Sequence, residues 1–255
     1  MTTAVIVQAR MRSSRLPGKV LLDAGGATFL DHVLSRCREI PGADVVCCAV
    51  PDTADSDPVA AEAARLGVAV FRGSETDVLD RYWRAALSLK ADVVLRVTSD
   101  CPLIDPAVCG RVLALREHTN ADYACNNMPP SWPHGLDCET LTFAWLDRSA
   151  REATKPFERE HVTQFVRNHP DSRKANLPCP AGNVAHHRWT LDTPADLEFF
   201  RALFPRLPSG RAAWDWMVPL AAVEADPALA AINAGQDRYE GLKKSLAREA
   251  GPAEN

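Results

Sequence analysis

Residues 4–19 read AVIVQARMRSSRLPGK, a short apolar run followed by a polar loop that carries four cations and no acid. An apolar run of this length is typical of a strand that is buried on both faces of a parallel sheet. In such a sheet the loop after a strand lies at the carboxyl edge, where ligands bind. We therefore expect Arg10, Arg12, Arg15 and Lys19 to gather at that edge.

The pattern of this first strand recurs along the first hundred residues. Apolar runs at 44–50, 68–71 and 92–97 alternate with segments of helical period. This alternation predicts right-handed βαβ units and an α/β fold with a mostly parallel, doubly wound sheet and helices on both faces. The predicted helices span residues 28–40, 56–66 and 76–89.

The middle of the chain has a different composition. The stretch NNMPPSWPHGLDCETLTF, residues 126–143, is rich in Pro, Asn and Gly. We interpret residues 120–190 as an insertion that forms a lid and an arm for a homodimer. Its predicted elements are extended pieces around 135–143, 174–178 and 186–191, and a helix at 156–168.

The last part of the chain reads as helical. Residues 1–205 are predicted to form the main domain, including the insertion, and residues 206–255 a C-terminal appendage. The predicted helices are 194–203 in the main domain, and 213–223 and 236–248 in the appendage.

Composition excludes several classes of protein. A net charge of -4 argues against a general nucleic-acid binder, which needs a broad basic excess. The eight cysteines contain no CxxC pair, so we expect reduced thiols and no metal-binding cysteine pair. No segment approaches the roughly 18 apolar residues of a membrane span, and no signal peptide is evident. We therefore expect a cytoplasmic protein that has no membrane partner.

The cationic loop has the chemistry of a site for a polyphosphate. Backbone N–H groups after a strand can converge on an oxyanion, and Ser13 and Ser14 add hydroxyl donors. Guanidinium and ammonium groups suit the charge of a nucleoside triphosphate. Pro17-Gly18 allows a tight bend that turns Lys19 back toward the phosphates. The stretch matches neither a Walker A loop nor a dinucleotide fingerprint, and a solvated surface is the alternative interpretation.

Two aspartates are predicted to face this loop. Asp100 follows the apolar strand in RVTSDCPLID, and Asp192 follows an extended piece in RWTLDTPADLE. Mg²⁺ takes one or two protein carboxylates and completes its shell with phosphate oxygens and water. Together the two acids predict a metal-triphosphate site. Alternatively, Asp100 is a structural counter-ion of the cations, and Asp192 caps the following helix.

Several stretches resemble those of one enzyme family. QARMRSSRLPGK resembles the nucleotide loop of the cytidylyltransferases, which include CMP-sialic acid and CMP-Kdo synthetases. The spore-coat-polysaccharide branch of that superfamily is the closer match. Its blocks are similar, in order, to FRGSETDVLDRYWRAA, RVTSDCPLIDP, HGLDCETLTF, EREHVT and RWTLDTPADLE, and the likeness covers about residues 3–203.

The resemblance implies a Rossmann-like nucleotidyltransferase fold and a defined reaction. That reaction transfers CMP from CTP to an acidic or phosphorylated sugar and releases pyrophosphate, with Mg²⁺ as cofactor. Its place would be the synthesis of precursors for surface polysaccharide or glycoconjugates. The resemblance also implies that Arg10, Lys19 and Asp100 are catalytic and that Asp100 and Asp192 are metal ligands. The predicted nucleotide-binding residues are Gln8, Ala9, Arg10, Ser13, Arg15, Lys19, Arg72 and Ser99.

The acceptor sugar is expected to contact the insertion. His134, Asp137 and Glu139 in HGLDCE, and His161 in EREHVT, are polar groups on segments that border the predicted cleft. Each is an acceptor-binding candidate, and each alternatively stabilises the scaffold. The family's known acceptor motifs for eight- and nine-carbon sugar acids are absent, so the motifs do not name the sugar.

Two rival functions stay open at this point. A metal-dependent glycosyltransferase of related fold would carry a DxD motif at the metal strand, where this chain has Ser99-Asp100-Cys101. A catalytically idle nucleotide-binding subunit would bind a triphosphate without turnover.

Overall fold

The computed structural model describes residues 1–209 and 214–249. Within them, seven strands form one sheet and two short strands form a separate hairpin. No helix in these ranges is long and apolar enough to cross a membrane. The strands are β1 Thr3–Gln8, β2 Asp23–Ala24, β3 Ala27–Thr28, β4 Val45–Pro51, β5 Ala69–Gly73, β6 Val93–Thr98, β7 Tyr123–Cys125, β8 Glu139–Thr142 and β9 Lys174–Asn176.

The helices surround this sheet and continue beyond it. They are α1 Phe29–Cys37, α2 Asp57–Arg65, α3 Val78–Ser88, α4 Pro106–His118, α5 Phe143–Glu152, α6 Pro156–Glu160, α7 Gln164–Asn168, α8 Pro194–Leu203, α9 Met217–Ala225, α10 Pro227–Ile232 and α11 Glu240–Glu249.

The sheet is parallel at its centre and antiparallel toward one side. Its strand order is β5-β4-β1-β6-β8-β7-β9. The strands β5, β4, β1 and β6 run parallel, whereas β8 runs antiparallel to β6. Consequently, the carboxyl ends of β1 and β6 lie side by side, and the loops that follow them share one edge. The predicted α/β fold with a mostly parallel sheet is confirmed.

Both faces of the sheet are covered by apolar side chains. On β1, Val5 and Val7 point into a core that includes Leu30 and Leu34 of α1. The intervening Ala4 and Ile6 belong to the core on the opposite face, with Leu79 and Tyr82 of α3. This alternation follows from the two-residue period of a strand. It explains why the apolar run has no polar interruption.

A third core joins the second half of the chain to helices α1 and α4, through Phe29 and Val108. It contains Trp132, Trp189 and Trp216, with Phe199 and Phe200 of α8. Helix α10 contacts both α8 and α9, and α11 lies against α6. The tail is therefore attached at two places, one of them beside the segment predicted to bind the acceptor.

Several sequence-based boundaries were wrong. Residues 186–191 form no strand and contribute only an isolated bridge between His134 and Arg188. The helix predicted at 156–168 is two short helices, because Val162 between them has a left-handed φ of 58°. Strand β7 and helices α4, α5 and α10 were not predicted. In the appendage, residues 210–213 and 250–255 lie outside the described residues, and the rest of the predicted domain division stays a prediction.

Candidate active site

The loop after β1 folds back on itself and aims Lys19 at the sheet edge. The N–H of Gly18 donates to the carbonyl of Met11 at 3.0 Å, which closes the loop. Gly18 has a φ of 67°, a left-handed conformation that favours glycine. Lys19 then opens a single turn of 3₁₀ helix. The tight bend expected at Pro17-Gly18 is therefore present.

The Lys19 ammonium lies between two carboxylates from distant parts of the chain. Its Nζ is 2.6 Å from Asp192 Oδ1 and 3.4 Å from Asp100 Oδ2, and it also donates to the carbonyl of Leu191 at 2.6 Å. The Leu191 N–H donates to the carbonyl of Asp100 at 2.8 Å, which ties the two segments together. The structure thus brings together the three residues predicted for metal and phosphate chemistry.

Asp192 is held in place without capping the helix that follows it. Thr193 is the N-cap of α8 and forms a capping box with Asp196. The Asp196 carboxylate also accepts from the backbone N–H of Asp192 at 2.9 Å and pairs with Arg188 at 2.8 Å. The alternative in which Asp192 caps the helix is therefore wrong. Arg188 and Asp196 were not predicted from the sequence, although Thr-Pro-x-Asp is a helix-start signal.

The electrostatics keep Lys19 and Asp100 charged at neutral pH. Burial raises the pKa of Asp100, but the Lys19 ammonium and the Thr98 hydroxyl outweigh it and bring the pKa to about 2. Burial also lowers the pKa of Lys19, and the two carboxylates more than compensate, so that this pKa is raised. One ammonium between two carboxylates leaves one net negative charge, which attracts a divalent cation.

Two connected chambers open at this edge. The smaller, of about 220 Å³, covers the cationic loop, and the larger, of about 390 Å³, lies toward β8 and α6. Asp100 and Asp192 line both chambers, and so do Arg10 and Arg15. The pair of aspartates therefore stands where two ligands would meet.

The predicted nucleotide residues line the smaller chamber with one exception. Arg72 lies outside both chambers, where its guanidinium donates to Asp57 at 2.6 Å. The other residues of this set line the smaller chamber: Gln8, Ala9, Arg10, Ser13, Arg15, Lys19 and Ser99.

The loop cations differ in how they are paired. Arg12 is 67% exposed and pairs with Asp55 at 2.8 Å and Glu75 at 3.0 Å. Arg15 pairs with Glu240 and lies 3.5 Å from Asp192. Arg10 is exposed and makes no ion pair with any residue in the described ranges.

The four predicted acceptor residues all line the larger chamber, but Glu139 is also a structural centre. Its buried carboxylate accepts from Arg96 at 2.5 Å, Tyr123 at 2.5 Å, Thr163 at 2.9 Å and Arg167 at 3.3 Å. Burial raises its pKa, and the two guanidinium groups overcome this and lower the pKa to about 2.

The other three acceptor candidates, His134, Asp137 and His161, place polar side chains on the wall of the larger chamber. His134 and Asp137 lie 4.0 Å apart, and His161 is 3.0 Å from the Ser245 hydroxyl. Burial lowers the pKa of both histidines.

The C-terminal segment forms the outer wall of the larger chamber. Residues 237–242 line it, and Arg238 pairs with Asp137. Farther along α11, the Ser245 hydroxyl donates to Glu160 at 2.8 Å. This wall was not predicted, because contacts between residues about a hundred positions apart leave no local pattern in the sequence.

Known proteins resemble this chain over most of its length. A family model described as Cytidylyltransferase matches residues 4–204, a range that includes Lys19, Asp100 and Asp192. The spore coat polysaccharide biosynthesis protein SpsF of Bacillus subtilis (strain 168) is 33% identical over 208 residues, 79% of this chain and 85% of that protein. The 3-deoxy-manno-octulosonate cytidylyltransferase of Rhodospirillum centenum is 35% identical over 193 residues, 72% of this chain and 67% of that protein. A cytidylyltransferase structure from Leptospira borgpetersenii serovar Hardjo-bovis has a TM-score of 0.86 and 27% identity, and the alignment covers 93% of this chain and 98% of that one.

Proposed function

The chain belongs to the cytidylyltransferase family, and we propose that it transfers CMP from CTP to an acidic or phosphorylated sugar with release of pyrophosphate. The enzyme is a nucleotidyltransferase, as its family and relatives show. One observation carries the proposal. The Lys19 ammonium lies between Asp100 and Asp192, at the junction of a cation-lined chamber and a second polar chamber.

The donor set at this junction fits Mg²⁺. Two carboxylates already converge on one cation, the Lys19 ammonium. The described residues contain no cluster of three or more His, Cys, Asp or Glu side chains that could hold a metal ion. A site with only two carboxylates leaves positions for phosphate and water, as Mg²⁺ prefers, and lacks the His and Cys ligands of a zinc centre. Asp100 and Asp192 would hold the ion, which would neutralise phosphate charge and lower the pKa of an acceptor hydroxyl.

The chain's own residues then position two substrates. In the smaller chamber, Arg10, Ser13, Arg15 and Lys19 bind the triphosphate of CTP. An acceptor oxygen in the larger chamber attacks the α-phosphorus in line, the new O–P bond forms, and the bond to the bridging oxygen of pyrophosphate breaks; a hydroxyl acceptor gives up its proton to water. Arg10 and Lys19 offset the charge that develops on the leaving pyrophosphate. Such a transfer requires the protein to align the two substrates and to stabilise charge, and it needs no covalent nucleophile.

The larger chamber is proposed as the acceptor site. His134, Asp137, Glu139 and His161 line it, and its volume of about 390 Å³ suits a small sugar. The product would be a CMP-sugar that serves as a precursor of surface polysaccharide or glycoconjugate. A homodimer and a cytoplasmic location remain predictions.

A pyrophosphate-release screen tests the proposal. The full chain with Mg²⁺ is incubated with each of the four nucleoside triphosphates and a panel of acidic and phosphorylated sugars. We expect pyrophosphate and a CMP-sugar only where CTP and a suitable acceptor are both present. Release with a different triphosphate overturns the base assignment. Consumption of a nucleotide sugar with release of its nucleoside diphosphate indicates a glycosyltransferase, and triphosphate binding without turnover across the panel indicates an idle subunit.

A further inference from the structure

Arg81 is a buried cation on the wall of the smaller chamber. It lies on α3, is only 2% exposed and lines that chamber. Its Nη1 donates to the carbonyl of Ser74 at 2.7 Å, whereas its buried Nε has no hydrogen-bond partner. Among the described residues, no carboxylate lies within ion-pair distance of its guanidinium. Nothing in the sequence motifs assigns Arg81 a role.

Two other arginines that are largely buried pair with a carboxylate. Arg96 pairs with Glu139 at 2.5 Å, and Arg188 pairs with Asp196 at 2.8 Å. Burial of a charge without a partner costs several kcal/mol, so proteins rarely keep one without a function. For Arg81 the cost is visible, because burial lowers its pKa, although a guanidinium stays protonated in proteins.

The nearest candidates for a partner inside the protein are already engaged. Glu75 influences Arg81 from a distance, but its carboxylate is bound to Arg12 at 3.0 Å. The neighbouring cation, Arg10, likewise has no ion pair with any described residue and acts on Arg81 by repulsion. Two guanidinium groups that lack a carboxylate partner among residues 1–209 and 214–249 thus line one chamber of about 220 Å³, where Lys19 and Arg15 already pair with acids.

We infer that Arg81 is a nucleotide-binding residue whose guanidinium pairs with a triphosphate oxygen of bound CTP. The identity of the ligand, CTP, rests on the proposed function. The pairing with a phosphate oxygen rests on the charge of the Arg81 guanidinium, which has no carboxylate partner among the described residues. A phosphate oxygen would supply the negative charge that no described carboxylate provides to Arg81, and the guanidinium group matches phosphate geometry. A nucleobase edge offers hydrogen-bond acceptors but no charge, which makes it the weaker partner for this site.

The inference predicts an unusual combination of effects. Replacing Arg81 by Met keeps much of the aliphatic stem and removes the uncompensated charge. The variant should therefore unfold at the same temperature as the wild type or higher, while its affinity for CTP falls at least tenfold. A purely structural arginine would show the opposite pattern, with lost stability and unchanged affinity.

Calorimetric titration with three probes tests this without turnover. CTP, inorganic tripolyphosphate and cytidine are titrated into the wild type, Arg81→Met, Arg81→Lys and the control Arg84→Met. Arg84 lies on the same helix but is exposed and pairs with Asp80. We expect the dissociation constants of CTP and tripolyphosphate to rise at least tenfold in Arg81→Met, to rise less in Arg81→Lys, and to stay unchanged in Arg84→Met.

Three results would overturn the inference. The first is a CTP dissociation constant for Arg81→Met within twofold of the wild type. The second is an equal loss for CTP and cytidine with tripolyphosphate unaffected, which would assign Arg81 to the base. The third is failure of Arg81→Met to fold. If the wild type binds another triphosphate in place of CTP, the proposed function fails, but the tripolyphosphate titrations still decide the role of Arg81.

Discussion

Replacing Glu139 by Gln should lower the free energy of unfolding by about 3 kcal/mol, because this buried carboxylate holds two arginines. Its pKa falls from 4.5 to about 2, a difference of about 2.5 units. Each unit corresponds to about 1.36 kcal/mol of preference for the charged form, which gives about 3 kcal/mol. Glutamine resembles the neutral acid in shape, so Arg96 and Arg167 lose the charge that neutralises them.

The same pKa shift gives the pH dependence of this contribution. Because the folded pKa lies below the unfolded one, the stabilisation is complete above about pH 4.5 and is lost as the pH falls toward 2. Urea unfolding at pH 7 and pH 3 therefore measures it, and the difference between variant and wild type should shrink at the lower pH.

A matched control separates this buried carboxylate from ordinary surface acids. Glu152 pairs with Arg148 one helical turn away and is 49% exposed. Glu152→Gln should change stability by less than about 0.5 kcal/mol. The reasoning is refuted if Glu139→Gln unfolds within 1 kcal/mol of the wild type, on the order of the error in such estimates. In that case, a higher KM for the acceptor would identify Glu139 as a pure binding residue.

Three further predictions concern the site itself. Asp100→Asn should reduce Mg²⁺-dependent pyrophosphate release by roughly 10³-fold or more while thermal unfolding shows an intact fold; normal release would remove Asp100 from the mechanism. Asp196→Asn leaves Arg188 without its buried partner, so it should cost about 3 kcal/mol in urea unfolding, and an unchanged midpoint would contradict the role of this pair. Ending the chain after Gln236 removes the wall of the larger chamber and the partner of Arg15, so the acceptor KM should rise about tenfold while CTP binds as tightly as before or more tightly. A truncated enzyme with an unchanged acceptor KM would show that the tail lies outside the acceptor site.

The half of the site that depends on parallel strands was predictable from sequence. The apolar runs at β1 and β6 place the following residues on one sheet edge, and this brings the Lys19 loop next to Asp100. The bend at Gly18 was also predictable, because a Pro-Gly pair favours a tight turn. Periodicity and turn chemistry are local signals, and these elements are set by local structure.

The other half depends on contacts that have no local signal. Asp192 follows no strand; it is placed by the Leu191–Asp100 backbone bond and by Asp196, which itself is held by Arg188. The outer wall at residues 237–242 depends on ion pairs that join the tail to Arg15 and Asp137. Some omissions were avoidable: Asp105-Pro106 is a helix-start signal, and Asp105 does cap α4.

The pairing of the charged groups bears on how the site binds its ligands. In this structure Lys19 pairs with Asp100 and Asp192, and Arg15 pairs with Asp192 and Glu240. A triphosphate alone must therefore compete with internal acids for these cations, and a divalent cation alone must compete with Lys19 for the two aspartates. When both ligands are present, the two aspartates bind the divalent cation and the loop cations bind phosphate oxygens. The divalent cation then takes the place of Lys19 at the aspartates, and the triphosphate takes the place of the aspartates at Lys19. We therefore expect CTP and Mg²⁺ to bind cooperatively, with Arg10 and Arg81 providing the first attraction for the nucleotide, because their charges are not matched within the described protein.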